Sequence, residues 1–175
     1  NDMRLDIFVT EMLPADMARV KSKTTFEEWD KYQANVKAGY HHQFTRNTLQ
    51  RNLGFKPGTQ APVFTEMSRQ TGMDATDWSW GALIFDADND GWKDVFVSNG
   101  IVKDLTDFDF VDFYVNNQKN ISEFRKDSVL LTKMIDELPS IHQQNYWLKN
   151  LGNWQFENQA ATQGLDQLTF STGSA

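Results

Sequence analysis

Short apolar runs separated by polar turns recur along the chain and predict a mainly β structure. Two of these runs, residues 82–85 (ALIF) and residues 95–97 (VFV), lie on either side of a polar loop, and Asn99-Gly100 follows as a turn signal. Runs of this length that are rich in β-branched or aromatic residues and end at turn residues are typical of strands. We therefore predict that residues 83–85 and 95–97 are antiparallel neighbours joined by the loop between them.

A helical spacing of apolar residues interrupts the strand pattern in the first part of the chain. Residues 25–28 (TFEE) match a capping box, and the apolar residues that follow keep near-helical spacing up to Gly39. The pattern predicts a helix over residues 26–38, within a helical insertion of residues 11–41. We expect its aromatic face to pack against the sheet, and a partner-binding helix is the alternative.

A second helical insertion is predicted over residues 101–144. Its apolar positions between Ile121 and Leu138 lie on one helical face that ends at Pro139, which predicts a helix over residues 122–138. Ahead of this helix, residues 107–114 (DFDFVDFY) are dense in aromatic and acidic side chains. We expect the insertion to cap the sheet, and a ligand site is the alternative.

The sequence also aligns with itself in two places. Residues 1–9 (NDMRLDIFV) align without a gap with residues 89–97 (NDGWKDVFV), and residues 47–54 (NTLQRNLG) align with residues 145–152 (NYWLKNLG). The second alignment continues beyond Gly152 after a loop that is six residues shorter in the later copy. Units of this kind, separated by tens of residues, predict a β-propeller or another repeat array whose neighbouring units bury each other's faces.

The number of units sets the expected domain organisation. The chain holds about two units, whereas a closed propeller takes roughly four to eight blades. We therefore predict that residues 1–175 are a fragment of one larger β-propeller domain.

Composition and charge narrow the classes of function. Apolar residues make up 39% of the chain and aromatic residues 13%, which is typical of a globular protein. Lys and Arg number 17 against 24 Asp and Glu, so the formal net charge of −7 disfavours a nucleic-acid partner and suits a bound cation. The chain has no cysteine for a disulfide framework and no apolar run near the roughly 20 residues of a transmembrane segment.

The loop between the two apolar runs, DADNDGWKD, carries the strongest chemical signal. Counted from its first residue, positions 1, 3, 5 and 9 are carboxylates, position 6 is a glycine, and position 7 offers a backbone carbonyl; these residues are Asp86, Asp88, Asp90, Asp94, Gly91 and Trp92. Oxygen ligands at this spacing are suited to calcium. An EF-hand loop begins in the same way, but it needs a Glu at position 12, where this chain has Val97. Asp94 is therefore the expected closing ligand, and a solvated acidic turn that binds nothing is the alternative.

The motif Trp80-Gly81-Ala82, the loop DADNDGWKD and the strand at residues 95–97 together resemble an FG-GAP/VCBS-type repeat. Such repeats form blades of β-propellers, as in integrin α-chains and in bacterial surface proteins of the ASPIC/UnbV-like kind. The resemblance covers about residues 1–10, 42–100 and 145–175. It implies a partial β-propeller of about two blade units, with calcium held in an integrin-type hairpin loop.

The N-terminus matches the second half of another such loop. Asp2 and Asp6 align with the third and fourth carboxylates of the complete loop, but the first two acids are missing. Met3 stands where the complete loop has Gly91, and Met resists the turn geometry that Gly tolerates. We expect a partial second metal loop that binds weakly, or that is completed only in a longer chain.

The sequence contains no recognisable catalytic constellation. It has no Gly-rich phosphate loop, no nucleophile elbow and no thiol, and His41, His42 and His142 lack catalytic partners. We therefore predict no catalytic residue and no enzyme activity for this segment.

The function that we predict is a calcium-binding β-propeller segment of an exported or cell-surface protein, acting as a binding or adhesion module. The expected location is extracellular, at the cell surface or at the bacterial outer membrane, with a protein or glycan ligand or other subunits of a surface complex as partners. Two alternatives remain. The chain could be a subunit of an outer-membrane assembly that uses its insertions as contact surfaces, or a non-catalytic part of a propeller enzyme.

Overall fold

Two antiparallel sheets form the β structure of the computed structural model, which describes residues 3–23, 28–117 and 128–174. The first sheet has the order β1-β2-β3, with β1 (Ile7–Val9), β2 (Thr48–Phe55) and β3 (Pro62–Glu66). The second has the order β4-β5-β6-β7, with β4 (Ser79–Phe85), β5 (Asp94–Asn99), β6 (Tyr146–Asn150) and β7 (Phe156–Asn158). The prediction of a mainly β chain is confirmed. The described residues close neither a barrel nor a propeller.

The helices lie mostly in the two predicted insertions. The first insertion holds α1 (Met17–Lys21) and α2 (Trp29–Lys37), and the second holds α4 (Phe108–Asn117) and α5 (Ser128–Glu137). A short helix, α3 (Ser68–Thr71), follows β3, and a 3-10 turn (Ala160–Gln163) follows β7. The predicted helices over residues 26–38 and 122–138 correspond to α2 and α5. Residues 26–27 and 122–127 of those predictions lie outside the described residues.

The expected burial of these two helices is seen at Leu138, just after α5, and at no other described side chain of the two predicted segments. Helix α2 buries no residue, and Trp29 at its start is 71% exposed. In α5, the apolar side chains of Val129, Leu131 and Ile135 are exposed as well. Charged and amide residues occupy most of α2, which leaves Tyr32 and Val36 as a narrow apolar stripe. Such a stripe is too small to bury the helix on a sheet.

One hydrophobic cluster joins the two sheets. Leu49 of the first sheet packs with Val95, Val97 and Leu148 of the second, and Met73, which is fully buried, lies in the same cluster. Burying one side chain of this size contributes about 1.5–3 kcal/mol. The two sheets therefore share a core, and neither is expected to be stable without the other.

Strand pairing has the same register in both sheets. The pairs Ile7–Gln50, Phe8–Leu49 and Val9–Thr48 correspond in position to Val95–Leu148, Phe96–Trp147 and Val97–Tyr146. The pairs Gln50–Glu66, Arg51–Thr65 and Asn52–Phe64 correspond to Leu148–Asn158, Lys149–Glu157 and Asn150–Phe156. These correspondences follow the offsets at which the sequence aligns with itself. Strands β1, β2 and β3 therefore occupy the places of β5, β6 and β7.

A network of buried charged side chains connects α1 and Lys23, which follows it, to the loop after β5. Asp104 is fully buried and accepts hydrogen bonds from Lys23 and from Thr106, whose hydroxyl lies 2.7 Å away. Arg19 bridges Asp104 at 3.4 Å and Asp77 at 3.0 Å. Burial alone would raise the pKa of Asp104, but the hydrogen bonds from Lys23 and Thr106 together hold it below its ordinary value. The carboxylate therefore stays charged inside the protein.

Candidate metal centre

The acidic loop connects β4 to β5 as a hairpin. Phe85 pairs with Asp94 at the mouth of the loop, and Leu83 pairs with Phe96 two residues further along. The predicted antiparallel pairing of residues 83–85 with residues 95–97 is confirmed. The hairpin flanks also exclude an EF-hand, which requires a helix on each side of its loop.

Three carboxylates converge inside this loop. Asp86, Asp88 and Asp90 each place one oxygen within 4.8 Å of the others. Oxygens that ligate one calcium ion at about 2.3–2.6 Å lie at most about 5.2 Å apart. The three side chains could therefore hold one metal ion between them. Among the residues that the structure describes, this is the one group of three acidic or histidine side chains with such spacing.

Backbone amides of the loop hold the carboxylates in position. The amides of Asp90 and Gly91 donate to the two oxygens of Asp86 at 3.1 and 3.0 Å, and the amide of Trp92 donates to Asp90 at 2.8 Å. Asn89 and Gly91 make this turn possible because their φ angles are +60° and +87°. Each carboxylate has about four lone-pair sites, so these bonds leave acceptor capacity for a cation.

Asp94 lies outside the group of three, and its oxygens have other partners. The side chain is fully buried, and it accepts hydrogen bonds from the amide of Ala87 at 3.2 Å and from the amide of Asn150 at 2.9 Å. Asn150 also donates its side-chain amide to the carbonyl of Lys93. Asp94 therefore fastens the loop and β6 together. Its role as closing ligand, and that of the Trp92 carbonyl, stay predictions.

Lys149 is a member of the site that the sequence did not indicate. Its ammonium, on β6, donates to Asp88 and lies 3.6 Å from an oxygen of Asp90. The hydrogen bond from Lys149 lowers the pKa of Asp88, and the same bond raises the pKa of Lys149. The lysine thus offsets part of the repulsion among the carboxylates. It also competes for the oxygens that a metal ion would use.

The incomplete loop at the N-terminus makes the same hydrogen bond to its neighbouring strand as the complete loop does. Asp6 accepts a hydrogen bond from the amide of Asn52 at 2.8 Å, as Asp94 does from Asn150. Met3 has a φ of +62°, so it adopts the left-handed turn that Gly91 adopts in the complete loop. Asp2 lies outside the described residues. A metal site at this end stays a prediction.

The metal-ligating atoms that the β4–β5 loop offers are all oxygens, which favours a hard cation such as calcium over zinc or copper.

No family model, curated protein or solved structure matches the chain. Within the described residues, no helix is both long and apolar enough to cross a membrane.

Proposed function

We propose that the chain is a calcium-binding segment of a β-propeller, part of an exported or cell-surface protein that acts as a binding or adhesion module. The observation that carries the proposal is the convergence of Asp86, Asp88 and Asp90 within 4.8 Å in a hairpin loop. The resemblance to FG-GAP/VCBS-type repeats supports the same assignment.

Calcium suits this loop better than magnesium does. Calcium accepts six to eight oxygen ligands in flexible geometry. Magnesium needs near-ideal octahedral geometry and releases its bound water molecules reluctantly. The loop is short and exposed, and its three clustered carboxylates leave room for water and backbone carbonyl ligands. With Lys149 competing for Asp88, we expect a modest dissociation constant of about 10⁻⁴–10⁻³ M, as in extracellular calcium modules.

The shared register of the two sheets supports the propeller. In a propeller each blade is a small antiparallel sheet, and neighbouring blades pack face to face around an axis. The second sheet has four strands in sequential order, and the first has three strands with the pairings of β5, β6 and β7. We propose that the two sheets are successive blades of one propeller. The shared cluster around Met73 and Val97 is then the contact between blades.

The test is calcium binding to the 175-residue chain. Terbium can report on the loop because Trp92, a loop residue, can transfer its excitation energy to a bound lanthanide, and calorimetry can then count calcium ions. We expect one ion per chain. Asp86→Asn and Asp90→Asn should each weaken binding by at least about ten-fold, since each removes one ligand charge.

Asp166→Asn is the matched control, because Asp166 is an exposed aspartate that belongs to neither the complete nor the partial loop. Its calcium affinity should equal that of the wild type. Absence of calcium binding at millimolar concentration, or equal binding by Asp90→Asn, would refute the assignment.

A further inference from the structure

A cleft of about 770 Å³ lies between α2 and the strands β1 and β2. Residues 41–46 form its floor, and Val9 and Thr48 border it on the strand side. Its volume is within the range of about 300–1,000 Å³ that is usual for small-molecule sites. None of the residues that line it belongs to the β4–β5 loop, so a ligand here is independent of the proposed calcium site.

A column of parallel aromatic rings forms one wall of the cleft. The centre of the Tyr32 ring lies 5.5 Å from that of Trp29 and 5.8 Å from that of Phe44, with interplanar angles of 23° and 25°. At one end of the column, the Arg46 guanidinium lies 4.5 Å from the centre of the Phe44 ring. The Tyr32 hydroxyl is hydrogen-bonded to His42 at 2.5 Å. These contacts fix the orientation of the rings before any ligand arrives.

The other end of the column is exposed. Trp29, at this end, is 71% exposed, although it packs on the Tyr32 ring. Large aromatic surfaces of this kind, rimmed by polar residues, mark binding sites more often than isolated apolar residues do. The stacking also keeps α2 against the floor of the cleft. The exposed indole is therefore a rigid apolar surface at the entrance.

The polar lining of the cleft is balanced in charge. Among its described residues, Glu11 and Glu28 are acidic, and Lys31 and Arg46 are basic. Amide side chains, including that of Asn35, add both donors and acceptors. The lining therefore has no excess charge that would select a phosphate or a polyamine. Its apolar surface is mainly aromatic rather than aliphatic, which disfavours a lipid chain.

We propose that this cleft binds a neutral oligosaccharide, with one sugar ring stacked on Trp29. A pyranose presents apolar C–H groups on its face and hydroxyl groups around its edge, and those hydroxyls both donate and accept hydrogen bonds. The aromatic column matches the face, and the mixed polar lining matches the edge. A charged sugar would gain less, because the four charged side chains of the lining cancel.

Titration calorimetry of the 175-residue chain with neutral oligosaccharides tests the proposal. The panel consists of tri- to hexasaccharides of gluco, manno, galacto and xylo configuration, each measured with calcium and with a chelator. We expect at least one configuration to bind with a micromolar to millimolar dissociation constant in both conditions. Trp29→Ala should weaken that binding by at least about ten-fold, and Trp29→Phe, which keeps an aromatic face, by less than about three-fold.

Phe55→Ala is the matched control, because Phe55 is 67% exposed at the end of β2 and does not line the cleft. Its affinity should equal that of the wild type. Asn35→Ala tests the polar lining separately from the ring and should also weaken binding. The proposal is overturned if no saccharide in the panel binds, or if Trp29→Ala binds as the wild type does. Binding of a proline-rich peptide in place of every saccharide would also overturn it, since that result identifies a protein partner.

Discussion

The buried carboxylate of Asp104 offers the sharpest test of what holds the fold together. The substitution Asp104→Asn keeps the shape of the side chain and an oxygen for Thr106. It removes the charge that faces Lys23 and Arg19, and it can place an amide donor against the Lys23 ammonium. Lys23 is only 9% exposed, so water can hydrate little of the ammonium charge that Asp104 no longer balances.

The expected loss of stability follows from this burial. Breaking a buried pair by removing one partner destabilises a protein by about 3–5 kcal/mol, because the other charge stays buried. Total stabilities are about 5–15 kcal/mol, so the change is a large fraction of the whole. For a chain of this size, 1 kcal/mol shifts Tm by about 2–4 °C, so we expect Tm to fall by about 6–20 °C.

Urea denaturation at pH 7 measures the loss, and a second variant separates charge from packing. Lys23→Met combined with Asp104→Leu replaces these two ions by apolar groups, and it should recover part of the stability, since Thr106 still loses its acceptor. The folded pKa of Asp104 lies below its unfolded value, so its contribution is present above that unfolded value and disappears as pH falls through the folded pKa. A loss under about 1 kcal/mol for Asp104→Asn would show that the network is not needed for the fold.

Three further predictions concern the β4–β5 loop. Calcium at one hundred times its dissociation constant should stabilise the chain by about 2.7 kcal/mol, a rise in Tm of about 5–11 °C in scanning calorimetry. At the same calcium concentration, Asp90→Asn should remove at least about half of this rise while keeping an acceptor for the Trp92 amide. Lys149→Met should tighten calcium binding by up to about 15-fold, since no ammonium then repels the ion, and calorimetry showing equal or weaker binding would contradict this. Gly91→Ala should destabilise the protein by about 1–2 kcal/mol in urea denaturation, because the φ of +87° is unfavourable for alanine. No atom lies within 4 Å of the added methyl group, so the loss measures the backbone conformation alone. Wild-type stability would contradict this prediction.

The sequence predicted the hairpin and its carboxylates because both signals are local. The apolar runs flank the loop directly, and a single residue separates Asp86 from Asp88 and Asp88 from Asp90. Local backbone bonds then bring their oxygens together without help from distant residues. Features with this property can be predicted from one sequence.

Lys149 and Asn150 were missed because they reach the loop from a strand far along the chain. They bond residues 61 and 56 positions earlier, respectively, and the insertion that holds α4 and α5 lies between. Nothing in the sequence near Lys149 marks it as a neighbour of an acidic loop. Only the pairing of β5 with β6 places the two together.

Residues 52–58 (NLGFKPG) show a related limit, because their Asn, Gly and Pro residues predict a turn from Asn52 to Gly58. Strand β2 continues through this segment to Phe55 and absorbs Gly54 in a register shift against β3. The fastening bond from Asp6 to the amide of Asn52 supplies a partner that a turn prediction leaves out. The turn between β2 and β3 comes later, where the amide of Thr59 donates to the carbonyl of Lys56 at 3.0 Å, so only the second part of the segment forms the predicted turn.

The last aspartate of each loop, Asp94 and Asp6, makes the same hydrogen bond to the neighbouring strand. This structural role is distinct from the metal-binding role that the sequence predicts for the same residues. Asp94 was expected to close the metal cage, and Asp6 to belong to a weaker copy of it. That ligand role stays a prediction for both, but each also accepts a hydrogen bond from the amide of an asparagine on the neighbouring strand, at 2.9 and 2.8 Å. Each asparagine side chain in turn accepts from the amide of the glycine two residues later. Because the bond forms at Asp6 without the first acids of the loop, it does not require a complete cage. The last aspartate of the motif therefore stabilises strand pairing by itself, whether or not it also contributes an oxygen to the ion.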